Sequence, residues 1–226
     1  MIPQIHRVCV IAPHPDDETL GCGGTLLKLK AAGAKIAWLL VTSMLPEHGF
    51  SLDAIRAKEN DIERLRQGYN FARTVRLHIP TTKVDQVPTD ELVMAIGASF
   101  SEFQPDTVFI PFCHDAHSDH YHISKATLSC CKWFRYPFVR NVLFYETISE
   151  TDFNLNTTEQ GFRPNLYVNI SDFFEEKLEL LRIFTSELGE FPFPRSLESV
   201  EAIAKLRGTQ CGARRAEAFE LLRGCL

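Results

Sequence analysis

"IAPHPDDETLGCGG", residues 11–24, is the stretch on which the reading of the whole chain turns. An apolar run stops at Pro13. One imidazole and three carboxylates, His14, Asp16, Asp17 and Glu18, follow almost without a gap, ahead of a glycine cluster and the apolar pattern of a helix. A short continuous apolar run closed by a proline reads as a buried strand. Polar groups gathered just past the end of such a strand stand where open α/β sheets place their ligands. The glycines invite comparison with a dinucleotide-binding loop, but that fingerprint opens directly after the strand at GxGxxG spacing. Here PHPDDET intervenes, the spacing fails, and two carboxylates at the helix start would repel a pyrophosphate. The glycines are expected to permit close packing of helix on sheet instead.

Outward from this stretch, apolar runs alternate with longer amphipathic segments. The runs are 7–12, 35–42, 74–79, 106–112, 141–145 and 166–170. The helix-like segments between them are 18–32, 51–69, 89–103 and 118–134, and the last third reads as helical over 172–188, 197–206 and 213–223. Strands of nearly unbroken hydrophobicity indicate a parallel sheet covered on both faces. Their alternation with helices predicts a Rossmann-like, doubly wound, mainly parallel α/β sheet with helices on both faces. With 226 residues, 45% of them hydrophobic, and no linker-like tract, one domain is expected. Its core would occupy 1–150, and a strand and helices of 151–226 would complete a cleft.

The formal net charge of −5 argues against a nucleic-acid surface. No signal-like segment and no apolar stretch approaching a membrane span is present. Seven cysteines, without a CxxC pair, fit a reduced, cytoplasmic protein.

In the common strand order 3-2-1-4-5, strands one and four are neighbours at the switch point. The cluster "CHDAHSDHYH", residues 113–122, follows strand four and holds four of the eight histidines. Two polar clusters a hundred residues apart are therefore expected to face each other. Imidazole and carboxylate suit zinc, and a catalytic site keeps three protein ligands and one open position. His14 and one of the two aspartates supply two candidate ligands, and His120 leads the candidates for the third, ahead of His114 and His122. An aspartate at either helix start, Asp119 included, also serves as an N-cap.

At these residues the sequence resembles the LmbE-like, or PIG-L-like, zinc-dependent N-deacetylases, whose hallmark is an (A/P)HPDDE loop after the first strand and an HxDH motif after the fourth. "AIRAKEN", residues 54–60, is similar to the family's Arg-x-x-Glu helix. "PRSLESVEAIAKLRGTQCGARRAEAFELLR" is similar to the C-terminal segment of members acting on N-acetylglucosaminyl substrates. The resemblance implies His14, Asp17 and His120 as zinc ligands and Asp16 as general base. It makes His117 the group that stabilises the oxyanion and protonates the leaving amine. Ser118 stands where many members have proline.

The chemistry is coherent by itself. Bound zinc brings the pKa of water to roughly 7, a neighbouring carboxylate takes the proton, and zinc with a protonated His117 faces the oxyanion. Asp119 is expected either to orient that imidazole or to cap. Arg56 is a candidate for a substrate hydroxyl or phosphate, with an i,i+3 pair to Glu59 as the alternative. Arg195, in "FPFPRS", is a candidate for closing over a sugar. Loops 44–50 and 153–164 are expected to carry selectivity.

The expected activity is removal of acetyl from an N-acetylated amino-sugar conjugate, with Zn2+ as cofactor, another divalent metal such as Fe2+ being compatible. The partner is a small molecule, and homo-oligomerisation is open. Rival readings are an amidase of a thiol or S-conjugate in the same family, a non-haem Fe(II) oxygenase built on two histidines and a carboxylate, and a non-catalytic metal- or sugar-binding protein.

Overall fold

The apolar runs become the centre of a seven-stranded sheet in the computed structural model, which describes residues 5–155 and 161–225. β1 (Arg7–Ala12) pairs in parallel with β2 (Lys35–Ser43) on one side and β4 (Thr107–Pro111) on the other. β3 (Arg73–Pro80) extends the sheet beyond β2, and β5 (Asn141–Tyr145) beyond β4. The strand order is β3-β2-β1-β4-β5-β7-β6. The expected adjacency of strands one and four is thus met, and the switch point lies between them.

β4 and β5 are buried at every position and β2 at all but its first residue, because helices cover both faces. Alternate residues of β1 and β2 point to opposite sides. Val8, Val10, Trp38 and Leu40 pack with Leu26 of α1 (Asp17–Ala31) and Leu65 and Tyr69 of α2 (Leu52–Tyr69). Cys9, Ile11, Leu39 and Val41 pack with Ile96 and Phe100 of α3 (Thr89–Phe103) and Ile123 of α4 (Ser118–Ser129). Full burial of each large apolar side chain is worth about 1.5–3 kcal/mol.

The C-terminal third departs from expectation. Segment 213–223, expected as a helix, is β7 (Ala216–Arg223), which lies antiparallel between β5 and β6 (Leu166–Asn169). The helix expected over 172–188 is the shorter α5 (Phe174–Leu181), that over 197–206 extends as α6 (Leu197–Cys211), and α4 stops at Ser129 rather than reaching 134. No described helix is long and apolar enough to cross a membrane.

The glycine cluster has a specific use. α1 is broken at Cys22 (φ −141°, ψ 15°), and the Cys22 thiol donates to the Glu18 carbonyl oxygen. A β-carbon at Gly21 would meet the Tyr145 ring and come within 2.6 Å of the Glu146 carbonyl oxygen; one at Gly24 would lie 2.8 Å from Ile170. The break is bridged by a buried ion pair. Glu217 of β7 accepts the N–H groups of Gly24 (2.9 Å) and Thr25 (2.7 Å), while Lys177 of α5 donates to the Leu20 carbonyl (2.8 Å) and to Glu217 (2.7 Å). The carboxylate thus caps the start of the second half-helix and the ammonium the end of the first, each with the sign the helix dipole favours.

Candidate active site

The loop after β1 and the loop after β4 meet at the carboxyl edge of the sheet. Asp16 is the N-cap residue of α1 but its side chain makes no capping bond, and Asp17 opens the helix with its Oδ2 accepting the His14 N–H at 2.8 Å, so neither carboxylate is spent on capping the helix. At α4 the N-cap is His117, whose Nδ1 accepts the Asp119 N–H at 3.1 Å. Both helix starts deliver polar side chains into one cavity of about 320 Å³, lined among others by His14, Asp16, Asp17, His117 and Arg195.

Two groups of side chains stand close enough to share one cation among the described residues, and both contain His14: one with Asp17 and His120, the other with His117 and Asp119. Their hydrogen bonds separate them. In the second group His14 Nε2 is paired with Asp119 Oδ2 at 3.1 Å, and His117 Nδ1 is taken by the Asp119 N–H. In the first, His120 Nε2 is wholly buried and has no hydrogen-bond partner, standing 3.3 Å from Asp17 Oδ2. His14 Nδ1 lies 3.4 Å from the same oxygen. Each imidazole is anchored through its other nitrogen by a carboxylate, His14 by Asp119 and His120 by Asp115 at 2.8 Å. That arrangement fixes the tautomer and aims the remaining lone pair at a metal. The orphaned nitrogen and the N, N, O donor set fit a divalent cation such as zinc at His14, Asp17 and His120.

The electrostatics follow from this crowding. Burial opposes charge on His14, yet its bonds to Asp119 and Asp17 raise its pKa to about 9. His120 is raised likewise against burial, chiefly by the Asp17 charge. Burial would raise Asp17, but the His120 charge and the close approach of the His120 and His14 imidazoles hold it far below the usual carboxylate value. Asp16 goes the other way, pushed up to about 7 by burial and then by Asp17 and Glu187, against the pull of Arg195. His117 is lowered to about 4 by burial and by the His14 charge. Glu18, the third carboxylate of the opening motif, is buried outside the cavity lining; it accepts the Thr19 hydroxyl at 2.6 Å, and burial raises its pKa to about 8.

The remaining sequence candidates divide. Arg195 reaches the site, its Nη1 3.3 Å from Asp16 Oδ2 and 3.5 Å from Glu187, which is also paired with Lys58 at 2.5 Å. Arg56 does not: its side chain is 77% exposed, pairs with Asp53 at 3.6 Å and lines no part of the cavity, because it sits on the outer face of α2. The positions of that helix that line the cavity are Ile55, Lys58, Glu59 and Ile62. Nor does Glu59 pair with Arg56; it binds Arg76. Asp119 stands on His14 rather than on the His117 ring, from which its Oδ2 is 3.9 Å away. The rival imidazoles lie elsewhere, His114 against Phe112 and His122 against Tyr121, with ring centroids 5.4 and 5.3 Å apart. Of the expected selectivity loops, 44–50 gives Met44 and Phe50 to the cavity, and 153–164 includes residues 156–160, outside the described ones.

Sequence reasoning passed over Asp115, although it stands inside the quoted histidine-rich cluster, and over Thr82. Thr82 adopts φ 63°, left-handed and costly for a β-branched residue, and its N–H donates to Asp119 Oδ2 at 2.8 Å.

Likeness to known proteins places the chain in a class, the N-deacetylases, hydrolases of amide C–N bonds. The chain belongs to the PIG-L family: the family model described as PIG-L, GlcNAc-PI de-N-acetylase, matches residues 9–131. It is similar to a diacetylchitobiose deacetylase of Thermococcus kodakarensis, 24% identical over 98% of this chain and 85% of the relative. Among solved structures it resembles the N,N'-diacetylchitobiose deacetylase of Pyrococcus horikoshii, with TM-score 0.77 and 20% identity over 97% of this chain and 85% of that one. It also resembles GalB, the 4-carboxy-2-hydroxymuconate hydratase of Pseudomonas putida KT2440, with TM-score 0.74 and 13% identity over 98% of each chain. The fold alone therefore does not choose the chemistry.

Proposed function

We propose that the protein is a zinc-dependent deacetylase that hydrolyses the acetamide of an N-acetylated amino sugar carried on an N-acetylglucosaminyl-type conjugate. The observation that carries this reading is the convergence of His14 Nδ1, Asp17 Oδ2 and the orphaned His120 Nε2 beside Asp16, in a cavity whose volume suits a small ligand. Family membership and relatives named for deacetylation of N-acetylated sugars support it.

His14, Asp17 and His120 would hold the cation, which when bound acidifies water and polarises an acyl oxygen. Asp16 accepts a proton at its carboxylate from the attacking water. The protonated Asp16 then releases that proton to the departing amine. Arg195 orients the Asp16 carboxylate by its contact at Oδ2.

His117 acts differently from the protonated imidazole expected from sequence. Its Nδ1 accepts a backbone N–H, which favours the neutral ring with its proton on Nε2. In that form it serves as a hydrogen-bond donor toward the developing oxyanion. Asp119, clamped by the Thr82 N–H, positions His14.

The test is Asp16→Asn, assayed by acetate release from a panel of N-acetylglucosaminyl compounds. The variant retains zinc and loses activity by about 10²-fold or more; activity equal to the parent's overturns the mechanism.

A further inference from the structure

His120 is held from behind by hydrogen bonds that continue into the far wall of the cavity. Its Nδ1 is paired with Asp115 Oδ2 at 2.8 Å. The other Asp115 oxygen accepts the Thr151 hydroxyl at 2.6 Å, and the same hydroxyl oxygen accepts the Thr147 N–H at 2.8 Å. Alongside, the Ala116 N–H donates to the Glu150 carbonyl at 3.1 Å, and the Glu150 and Thr151 N–H groups return to the Thr147 carbonyl at 3.0 and 2.9 Å. The segment tied in this way gives Thr147, Ser149 and Glu150 to the cavity wall, with Ser149 in a left-handed backbone conformation, φ 79°. The side chains of Asp115 and His120 have no solvent exposure. Water therefore does not substitute for either of them, and the Thr151 hydroxyl is used at both ends, once as donor and once as acceptor.

We infer that Asp115 and Thr151 are positioning residues, forming a chain that couples the cation-holding imidazole of His120 to the 147–151 wall of the substrate cavity. The inference rests on the assignment of His14, Asp17 and His120 under Proposed function. Asp115 fixes the His120 tautomer, and carboxylate partners of ligating histidines change metal affinity by about 10–100-fold when altered. Thr151 fixes the Asp115 rotamer while holding the Thr147 amide, so ordering at one end orders the other. By linkage, cation and substrate then each bind more tightly in the presence of the other.

The experiment uses the metal-free full chain titrated with zinc chloride alone against a chromogenic chelator, in the parent and in Asp115→Asn, Thr151→Val and Thr151→Ser. Amide exchange at residues 147–151 is followed with and without zinc, and urea unfolding of the metal-free proteins separates folding from binding. Asp115→Asn weakens zinc by about 10–100-fold and Thr151→Val, one step further out, by roughly 3–10-fold, while Thr151→Ser stays within about twofold of the parent. Zinc slows exchange of the Thr147, Glu150 and Thr151 amides in the parent and in Thr151→Ser but not in Thr151→Val, whose KM rises more than its kcat falls. A folded Thr151→Val that binds zinc as the parent does, with the same protection, overturns the inference. A parent that takes up no zinc overturns the cation assignment itself, a distinct failure.

Discussion

Replacement of Glu217 tests the bridge across the break in α1. Glu217→Ala removes the acceptor for the Gly24 and Thr25 N–H groups and leaves the Lys177 ammonium, 3% exposed, without its carboxylate. Three hydrogen bonds to a charged group are lost, each worth about 1.5 kcal/mol or more. That sum agrees with the roughly 3–5 kcal/mol seen when one partner of a buried pair is removed. Against a total stability of about 5–15 kcal/mol, the loss is large. In urea unfolding followed by circular dichroism, with m near 3 kcal/mol/M, the midpoint falls by about 1–1.7 M. The double variant Lys177→Met/Glu217→Leu separates a charge effect from a bridging effect. If the pair matters only as two charges, replacing both by apolar groups is close to neutral. If it bridges the helix, the Gly24 and Thr25 donors and the Leu20 carbonyl stay orphaned, and about 2–4 kcal/mol of destabilisation remains. A double variant as stable as the parent refutes the bridging argument.

Other substitutions probe separate parts of the molecule. Gly21→Ala forces a β-carbon against the Tyr145 ring and the Glu146 carbonyl and lowers stability by about 1–3 kcal/mol, whereas Gly33→Ala, at φ 92° with open space around it, costs about 1 kcal/mol in backbone strain alone; thermal unfolding ranks them. Arg56→Ala leaves acetate release unchanged, its side chain being exposed and paired with Asp53, while Arg195→Ala, which frees Asp16, lowers kcat; equal effects would contradict the placement of the two arginines. Burial favours the neutral form of Glu187, but its bond to Lys58 and the charges of Lys58 and Arg195 hold its pKa below the usual carboxylate value. A depressed acid stabilises the fold above its unfolded pKa of about 4.3 and loses that contribution as pH falls through the folded value. Stability measured from pH 6 down to pH 3 therefore falls less steeply in Glu187→Gln than in the parent.

The strands buried on both faces were legible because a continuous apolar run that ends at a polar cluster is what a covered parallel strand leading into a site requires. The same runs place His14 and His120 at the ends of adjacent strands. β7 was not legible. "AEAFELLR" is rich in the strong helix formers Ala, Glu and Leu, and its Glu217, which reads as a solvent-facing residue, is buried on Lys177 and α1. Tertiary context decided the strand: β5 and β6 leave one slot between them. Arg56 misled for a related reason, since the Arg-x-x-Glu spacing suggests a pair on one helix face, while Glu59 is claimed by Arg76 from β3. Asp115, Thr151 and Thr82 act through a carboxylate, a hydroxyl and a backbone amide set in loops, where no hydrophobic period marks which groups will meet.

The place of β7 inside the sheet bears on how the chain is made. Both neighbours of β7 precede it, and among the described residues β6 has its only ladder through it. During synthesis Leu166–Asn169 therefore leaves the ribosome with no strand to pair with, and Phe144 and Tyr145 lack cover along one edge until Ala216–Arg223 has emerged. An open edge of this kind invites association between nascent copies, so slow translation after residue 170 would raise the aggregated fraction.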